Sequence, residues 1–336
     1  MKIIVDAMGG DNAPLEIVQG ALAAARARPG LEIVLVGREA EVRAAAGPGL
    51  PSGVSVVNAT EVIDMHDDPA RAFRNKPDSS ITVGLTMLRD GQGDAFVSAG
   101  STGALFSAGT LIVKRIRGIR RAAMAPLVPT AGRGVVLVDC GATADCTVEY
   151  LLQFAYLGSF YAARALRVDN PRVALLNIGT EDTKGDALRL ETYAALKAAG
   201  EAGHLNFTGN IEAKEAVKGG CDVVVADGFT GNVMLKTIEG VGSFLGKELK
   251  GMFMKSLKTK IAALLVRDGL NQFKERLNPD TVGGTPFLGL QKPVIKAHGA
   301  SKAKAIENAV YQAVTAVEAD LAGQIEANIG LMKMGR

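Results

Sequence analysis

Three segments of the sequence place Gly, Ser, Thr, Asn or Asp directly after an apolar run and directly before a helical pattern. They are Ser98–Gly103 (SAGSTG), Asn177–Gly185 (NIGTEDTKG) and Asp227–Asn232 (DGFTGN), named here the Ser98 turn, the Lys184 loop and the Asp227 turn. Backbone N–H groups converge at a helix start, and neighbouring hydroxyl or amide groups add further donors. Three such segments in one chain predict a shared cleft that holds an anion, most often a phosphate.

Each segment alone also has an ordinary structural interpretation. The Ser98 turn is either an anion site, with Ser98, Gly100, Ser101 and Thr102 lining it, or a helix start capped by Ser or Thr. Lys184 is either a point charge that neutralises a phosphate or oxyanion, or a solvated loop lysine. The coincidence of three segments favours the anion site over three unrelated caps.

The Asp227 turn carries the residue types that acid–base chemistry requires. Asp227 ends an apolar run, and its carboxylate could accept a proton or orient a reactant. Thr230, Asn232 and Lys236 follow within about two helical turns and could bind phosphate. The alternative is a turn in which Asp227 or Asn232 caps the next helix.

Composition and charge restrict the class of protein. The chain has 336 residues, 48% of them hydrophobic, a net charge of +3 and three cysteines. The small net charge gives no argument for nucleic-acid binding, and an odd cysteine number without a CxxC pair fits a reducing compartment. The chain starts on a strand pattern and has no run of 18 apolar residues, so we expect neither a signal peptide nor a spanning helix. We therefore predict a cytoplasmic protein.

Short β-branched runs alternate with Ala-rich helical patterns, which is typical of a mostly parallel sheet covered by helices on both faces. This predicts a Rossmann-like, three-layer αβα fold in one α/β domain over residues 1–336. The predicted strands are Ile3–Asp6, Ile33–Gly37, Val54–Asn58, Ala95–Ser98, Val135–Asp139, Arg172–Asn177, Val223–Asp227 and Val294–Lys296. The predicted helices cover about 14–27, 38–46, 78–89, 101–116, 147–165, 185–198, 211–217, 231–248 and 301–322. Because ligands bind beyond the carboxyl ends of parallel strands, Asp6, Asp139 and Asn177 are expected on the same rim as the three segments.

Residues 243–276 depart from this alternation. Apolar residues such as Phe253, Leu257, Ile261 and Leu264 recur there at helical spacing among many Lys and Arg. We interpret the stretch as an amphipathic helical excursion from the domain. Its apolar face could pack on a second subunit, lie on an anionic membrane surface, or do both.

Other candidate residues have weaker signals. Residues 114–121 contain five cations, among them Arg115, Arg117, Arg120 and Arg121, which either cap a helix end or dock an acidic partner. His298 could act as a base, although a lone His is more often structural. No Cys/His cluster has metal-ligand spacing, so we expect no metal. Cys140 and Cys146 lie near the rim, but free Cys is usually a small buried hydrophobe.

Several motifs together resemble one bacterial family, the acyl-ACP:phosphate acyltransferases (PlsX family). Alongside the three segments, they are Val5–Pro14 (VDAMGGDNAP), Gln153–Gly158 (QFAYLG), Gly283–Gly289 (GGTPFLG) and His298–Ser301 (HGAS). The matches run from residue 5 to about 310. Ser101 and Thr143 stand where the family pattern has Asn, and a proline expected near Thr147 is absent.

The resemblance implies transfer of a fatty acyl group from acyl carrier protein to inorganic phosphate, with no cofactor. It also implies a fold like those of phosphotransacetylase and isocitrate/isopropylmalate dehydrogenase, a homodimer, and peripheral association with the cytoplasmic face of the membrane. The acyl phosphate product would serve the first acylation of glycerol 3-phosphate, by a glycerol-3-phosphate acyltransferase.

On this resemblance, Lys184 and Asn232 are expected to bind phosphate or oxyanion, while Asp227 orients or deprotonates. The remaining candidates for phosphate or substrate binding are Ser98, Gly100, Ser101, Thr102, Asp139, Asn177, Thr230, Lys236 and His298. Arg115, Arg117, Arg120 and Arg121 would dock the acidic carrier protein. Two alternatives stay open at this point: a nicotinamide-dependent decarboxylating dehydrogenase, which needs an Asp cluster around a metal, and a non-enzymatic phosphate- or lipid-binding regulator.

Overall fold

The computed structural model describes residues 1–130, 132–270, 273 and 283–333. Its strands are β1 (Lys2–Asp6), β2 (Glu32–Gly37), β3 (Val54–Asn58), β4 (Ala95–Ser98), β5 (Ala123–Met124), β6 (Leu127–Val128), β7 (Val135–Val138), β8 (Arg172–Leu176), β9 (Asn206–Ile211), β10 (Val223–Val225), β11 (Thr285–Leu288) and β12 (Val294–Lys296). Within these ranges the strands form two sheets, ordered β3-β2-β1-β4-β12-β11-β5 and β6-β7-β10-β8-β9.

Helices surround both sheets. They are α1 (Leu15–Ala27), α2 (Glu39–Ala46), α3 (Ala72–Asn75), α4 (Ser80–Arg89), α5 (Thr102–Ala108), α6 (Val148–Arg164), α7 (Ala187–Glu201), α8 (Ala213–Ala216), α9 (Gly228–Met254), α10 (Leu257–Leu265), α11 (Ala303–Glu318) and α12 (Leu321–Ala327). A π-helical turn, Gly109–Val113, extends α5. In the part of the chain described, none of the helices is long and apolar enough to cross a membrane.

The central strands of the first sheet, β1 and β4, are apolar and buried on both faces. Strand β1 pairs in parallel with β2 and β4, and its Ile3, Ile4 and Val5 are fully buried. Near-continuous apolar runs of this kind are typical of parallel strands covered by helices. Strand β11 is antiparallel to β12 and β5. Since β1 and β4 are parallel neighbours, Asp6 and Ser98 at their carboxyl ends are brought together.

The second sheet brings the other candidate segments together in the same way. Strands β7, β10, β8 and β9 are parallel, and β6 runs antiparallel to β7. Helix α6 buries Leu151, Phe154, Leu157 and Tyr161 among the apolar residues on one face of this sheet. The carboxyl ends of β7, β8 and β10 therefore place Asp139, the Lys184 loop and the Asp227 turn along one rim.

The predicted α/β class with mostly parallel strands is confirmed, and each predicted strand has a counterpart. The prediction did not contain the division into two sheets, nor strands β5, β6, β9 and β11. Strand β9 (NFTGNI) is polar and contains Gly209 at φ +97°, while β11 contains Pro286, and these residue types argue against strands. The assignment of residues 1–336 to a single domain stays a prediction.

Helix α9 covers the predicted helix at 231–248 and the first part of the predicted excursion at 243–276, whose assignment as an excursion stays a prediction. Helix α9 runs over 27 residues from Gly228, and its buried residues are Gly228, Gly231 and Met234. Helix α10 follows after Ser256, which caps it in a capping box with Thr259, and has no buried residue. Residues 271–272 and 274–276 of the predicted excursion lie outside the described residues.

Candidate functional site

At the rim of the first sheet, the carboxylate of Asp6 joins two loops. Its Oδ1 accepts hydrogen bonds from the N–H groups of Met8 and Gly9, both at 3.1 Å, and its Oδ2 accepts one from Ser98 Oγ at 2.6 Å. Ser98 Oγ in turn accepts from Gly100 N at 3.0 Å. Asp6 is fully buried, and burial raises the pKa of its carboxyl group. The Ser98 side chain is thus committed to internal contacts.

The next residues of the Ser98 turn carry hydroxyls that are less committed. Ser101 is the N-cap residue of α5, yet its side chain makes no capping hydrogen bond. Its carbonyl accepts from Leu105 N at 2.9 Å, so the backbone alone begins the helix. Thr102 is the first residue of α5 and is half-buried. These two hydroxyls fit the predicted anion site better than Ser98 does.

Lys296 lies directly behind the Ser98 turn, and the sequence prediction did not include it. Its Nζ donates to the carbonyls of Ala99, at 3.3 Å, and Ala297. Only 8% of the residue is exposed, and burial lowers its pKa to about 8, helped by Lys236 and opposed by Asp6 and Asp11. The influence of Lys236 matters because Lys236 belongs to α9, so the rims of the two sheets lie within electrostatic range of each other.

Asp139, at the rim of the second sheet, shapes the loop that follows it. Oδ1 accepts from Met124 N (2.8 Å) and Cys140 N (2.7 Å), while Oδ2 accepts from Ala142 N (3.0 Å) and Thr143 N (2.7 Å). Burial raises the pKa of Asp139 to about 6 against the opposing effect of these four donors. A carboxylate with both oxygens occupied by backbone N–H groups is a loop anchor, and this geometry disfavours its predicted role as a phosphate ligand.

The Lys184 loop is held by Asn177. Asn177 Oδ1 accepts from Ile178 N at 2.8 Å, and its Nδ2 donates to the carbonyl of Lys184 at 3.0 Å. The Lys184 side chain is exposed. Among the described residues, its ammonium group has no ion pair and no hydrogen bond. Asn177 thus orders the loop, while the Lys184 ammonium group stays available to a ligand.

The Asp227 turn is a tight cluster at the start of α9. Asp227 is the N-cap residue: its Oδ1 accepts from Thr230 N at 2.9 Å and its Oδ2 from Thr230 Oγ1 at 2.7 Å. A Cβ at Gly231 would lie 2.0 Å from the carbonyl oxygen of Asp139, so only glycine lets the helix approach the 139–143 loop this closely. Asn232 then lies over Gly141.

Arg189 connects the Lys184 loop with the Asp227 turn. Its Nη2 contacts Asp227 Oδ2 and donates to Thr230 Oγ1 at 3.1 Å, while Nη1 donates to Asp186 Oδ2 at 2.9 Å. Asp186 caps α7 and Asp227 caps α9, so one guanidinium bridges the starts of two helices. The sequence prediction missed Arg189, and its one signal was its position in the first turn of the helix after the loop.

A groove of about 370 Å³ opens beside this cluster. It is lined by Ala144, Asp145, Cys146, Leu188, Arg189, Asp227, Phe229 and Thr230. Phe229 is two-thirds exposed at its edge. The groove therefore combines an apolar wall with the polar cluster at the start of α9.

The structure gives less support to the other candidates, His298 and the cysteines. His298 is exposed, and its Nδ1 accepts from Ala300 N at 3.2 Å. Burial raises the pKa of Cys140, Cys146 and Cys221 to about 12, which keeps them as thiols and disfavours a cysteine nucleophile. In the described ranges, no group of three or more His, Cys, Asp or Glu side chains is arranged to hold a metal ion.

The predicted docking arginines follow the π-helical turn. Arg120 pairs with Glu149 of α6 at 3.0 Å, and Arg121 lies over the Tyr150 ring, 5.7 Å from its centroid. Arg115 Nη1 donates to the carbonyl of Arg120. Arg120 and Arg121 thus lie against the first turn of α6, and together with Arg115 and Arg117 they are named here the arginine surface.

The fold is that of the phosphotransacetylases. A phosphotransacetylase from Streptococcus pyogenes aligns with 95% of this chain and 94% of its own, with a TM-score of 0.63 at 21% sequence identity. At this sequence identity the similarity shows the fold alone, so the activity must be inferred from closer relatives.

Closer relatives define the family. The model of the fatty acid synthesis protein family matches residues 1–324. A phosphate acyltransferase of Thermoanaerobacterium thermosaccharolyticum is 44% identical over 99% of this chain and 98% of its own length, and one of Lysinibacillus sphaericus is 46% identical over 95% of each. The chain belongs to this family, the phosphate acyltransferases, and the resemblance seen in its motifs is confirmed.

Proposed function

We propose that this enzyme transfers a fatty acyl group from acyl carrier protein to inorganic phosphate and releases acyl phosphate and free carrier protein. Membership of the phosphate acyltransferase family supports acyl transfer to phosphate in lipid synthesis. The main structural observation in support of the proposal is the Asp227–Thr230–Arg189 cluster beside the groove, where we expect the reaction to take place. The dehydrogenase and regulator alternatives have no comparable support.

The reaction needs positioning more than a covalent enzyme intermediate. An oxygen of hydrogen phosphate attacks the thioester carbonyl, the new C–O bond forms, and the C–S bond breaks. The thiolate leaves and takes up the proton that the phosphate loses. Holding the two reactants together supplies much of the rate enhancement, and preorganised donors stabilise the tetrahedral oxyanion.

Residue roles follow the charges and donors at the rim. Lys184, with its available ammonium group, and Asn232 bind phosphate or the oxyanion, and Asp227 orients a reactant or accepts the proton. The further candidates for the lining are Gly100, Ser101, Thr102, Asn177, Thr230 and Lys236, whereas the side chains of Ser98 and Asp139 are held by internal hydrogen bonds and His298 is not part of the cluster. Within that set, Thr102 is half-buried, while Ser101 is buried with 7% of its surface exposed, so Thr102 is the more accessible of the two hydroxyl residues.

The arginine surface serves as the docking site for the acidic carrier protein. Arg117 and Arg121 make no ion pair within the described residues, so their charges are available to carboxylates of a partner. Electrostatic complementarity of this kind mainly raises the association rate and weakens with salt.

The exposed helices α9 and α10 carry the proposed dimer and membrane contacts. Phe244, Leu257, Ile261, Leu264 and Leu265 are between 52% and 83% exposed. So much exposed apolar area on neighbouring helices needs a cover, either a second subunit or lipid. The enzyme would then work in the cytoplasm at the inner face of the membrane and pass acyl phosphate to a glycerol-3-phosphate acyltransferase.

A vesicle-binding measurement separates the two covers. Leu257→Glu should weaken sedimentation with anionic vesicles while the dimer seen by light scattering persists. If the variant binds vesicles as well as the wild type, the apolar face of α9 and α10 does not contact the membrane. If the variant is monomeric, that face forms the contact between subunits.

The proposed reaction is tested by thiol release from acyl carrier protein, followed with a thiol reagent. Release should require inorganic phosphate and saturate with it. Release at the same rate without phosphate would make the protein a thioesterase and contradict the proposal.

A further inference from the structure

The groove beside Arg189 has two chemically different walls. Leu188 and Phe229 provide the main apolar contacts, together with Ala144 and Cys146, while Asp145, Arg189 and Asp227 provide charge. Its volume of about 370 Å³ falls within the range of small-molecule sites. The groove therefore suits a narrow ligand that has both apolar and hydrogen-bonding parts.

The charges of the groove disfavour phosphate as that ligand. Arg189 is the cation among the lining residues, and its guanidinium is already shared by Asp186 and Asp227. Asp145 adds another carboxylate to the lining. A phosphate dianion would meet two carboxylates, Asp145 and Asp227, and one arginine already paired with Asp186 and Asp227, and that excess of negative charge opposes its binding.

The start of α6 connects the groove with the arginine surface. Cys146 on the groove lining is followed directly by Thr147, which caps α6. The first turn of α6 carries Glu149 and Tyr150, the residues that contact Arg120 and Arg121. A ligand arm that extends from a protein bound on the arginine surface would thus reach the groove along the start of α6.

We propose that this groove binds the uncharged pantetheine part of the arm through which carrier protein presents its acyl thioester, an inference that rests on the proposed function. The arm alternates amide groups with short methylene segments. Its amide N–H groups donate to the Asp145 carboxylate, and its methylenes contact Leu188 and Phe229. The thioester end then lies at the Asp227 turn.

Phosphate approaches from the other side of α9. With 100° between successive residues, Asn232 and Lys236 share a face with Gly228, whereas Thr230 faces the groove. Asn232 lies over Gly141, and Lys236 is within electrostatic range of Lys296. The two substrates thus meet at the first turns of α9, each from its own side.

Binding of pantetheine alone, without carrier protein or phosphate, tests the assignment by ligand-observed NMR. Phe229→Ala and Asp145→Asn should each weaken binding by about fivefold or more, in line with the loss of one apolar or hydrogen-bonding contact. Leu190→Ala is the matched control, because Leu190 is an exposed residue of α7 outside the groove lining. Equal binding by all four proteins, or none by the wild type, would overturn the proposal.

Steady-state kinetics gives the second readout. In Phe229→Ala and Asp145→Asn the KM for acyl carrier protein should rise by about fivefold, while the KM for phosphate stays within about twofold. If the KM for phosphate changes instead, the groove holds phosphate and the assignment is wrong. A wild type that binds pantetheine at the groove but releases no thiol with phosphate would refute the proposed function and leave the groove assignment standing.

Discussion

The Ser98 turn and the Asp227 turn have the same sequence pattern and opposite surroundings. In both, a buried strand ends and Gly and hydroxyl residues lead into a helix. At the Ser98 turn, a Cβ on Gly9 would lie 2.6 Å from Gly100 N, so the two loops are in backbone contact and Asp6 is sealed between them. At the Asp227 turn, the carboxylate faces Arg189 and an open groove. The pattern predicts a polar helix start, and the neighbouring loop decides whether a ligand can reach it.

The largest effect is expected at Asp227. Asp227→Asn keeps an N-cap side chain for α9 but removes the carboxylate, so kcat/KM should fall by at least about 100-fold, the usual range for an acid–base residue. The measurement is phosphate-dependent thiol release, with circular dichroism as the check on folding.

Asp186→Asn is the matched control for that variant. Asp186 also caps a helix and also pairs with Arg189, but it does not line the groove. A loss as large as that of Asp227→Asn would show that the Arg189 bridge, and not the Asp227 carboxylate, carries the activity.

Lys296, which lies behind the Ser98 turn, should make the free energy of unfolding depend on pH. Its pKa is about 8 in the folded protein against 10.5 as the ordinary value, so the unfolded chain binds more protons between these pH values. The free energy of unfolding should therefore rise from pH 8 to 10.5, by up to about 3 kcal/mol, relative to a Lys296→Met variant. Urea unfolding across this range measures it, and parallel curves for the two proteins would contradict it.

Ser98→Ala should cost stability and spare catalysis. The substitution removes the hydrogen bond that Ser98 donates to the buried Asp6 carboxylate and the one that it accepts from Gly100 N. The free energy of unfolding, measured with urea, should therefore fall by about 2 kcal/mol. Ser101→Ala is the comparison, because the Ser101 side chain makes no capping bond and should leave stability nearly unchanged. Equal losses of stability would remove the distinction between the two hydroxyls.

Lys184→Ala is expected to have the smallest effect of the set. Loss of an exposed cation should reduce kcat/KM by about tenfold, or ~1.4 kcal/mol of transition-state binding. Lys197→Ala, an exposed lysine further along α7, should have normal kinetics. Unchanged kinetics in Lys184→Ala would remove Lys184 from the mechanism.

The sequence predicted those features that depend on local pattern. Apolar runs identified the parallel strands, and the Gly, hydroxyl and amide residues that follow these runs identified the rim of the sheets. Both signals depend only on residues that are adjacent in the sequence. Arg189 and Lys296 had no comparable signal: an arginine in a first helical turn and a lysine ending a strand become notable only when Asp227 or the carbonyl of Ala99 lies opposite. Asp139 was identified from the sequence as a rim residue, but its role as a loop anchor was not, because one of its four N–H partners, Met124, lies in β5 of the first sheet.

The central claim is that phosphate itself attacks the thioester at the rim of the second sheet. It is tested most directly by supplying phosphate labelled with ¹⁸O on every oxygen and analysing the products by mass spectrometry. The account predicts acyl phosphate that retains all the phosphate label, including the oxygen that joins phosphorus to the acyl carbon. Free fatty acid carrying solvent oxygen, with no labelled acyl phosphate, would contradict it.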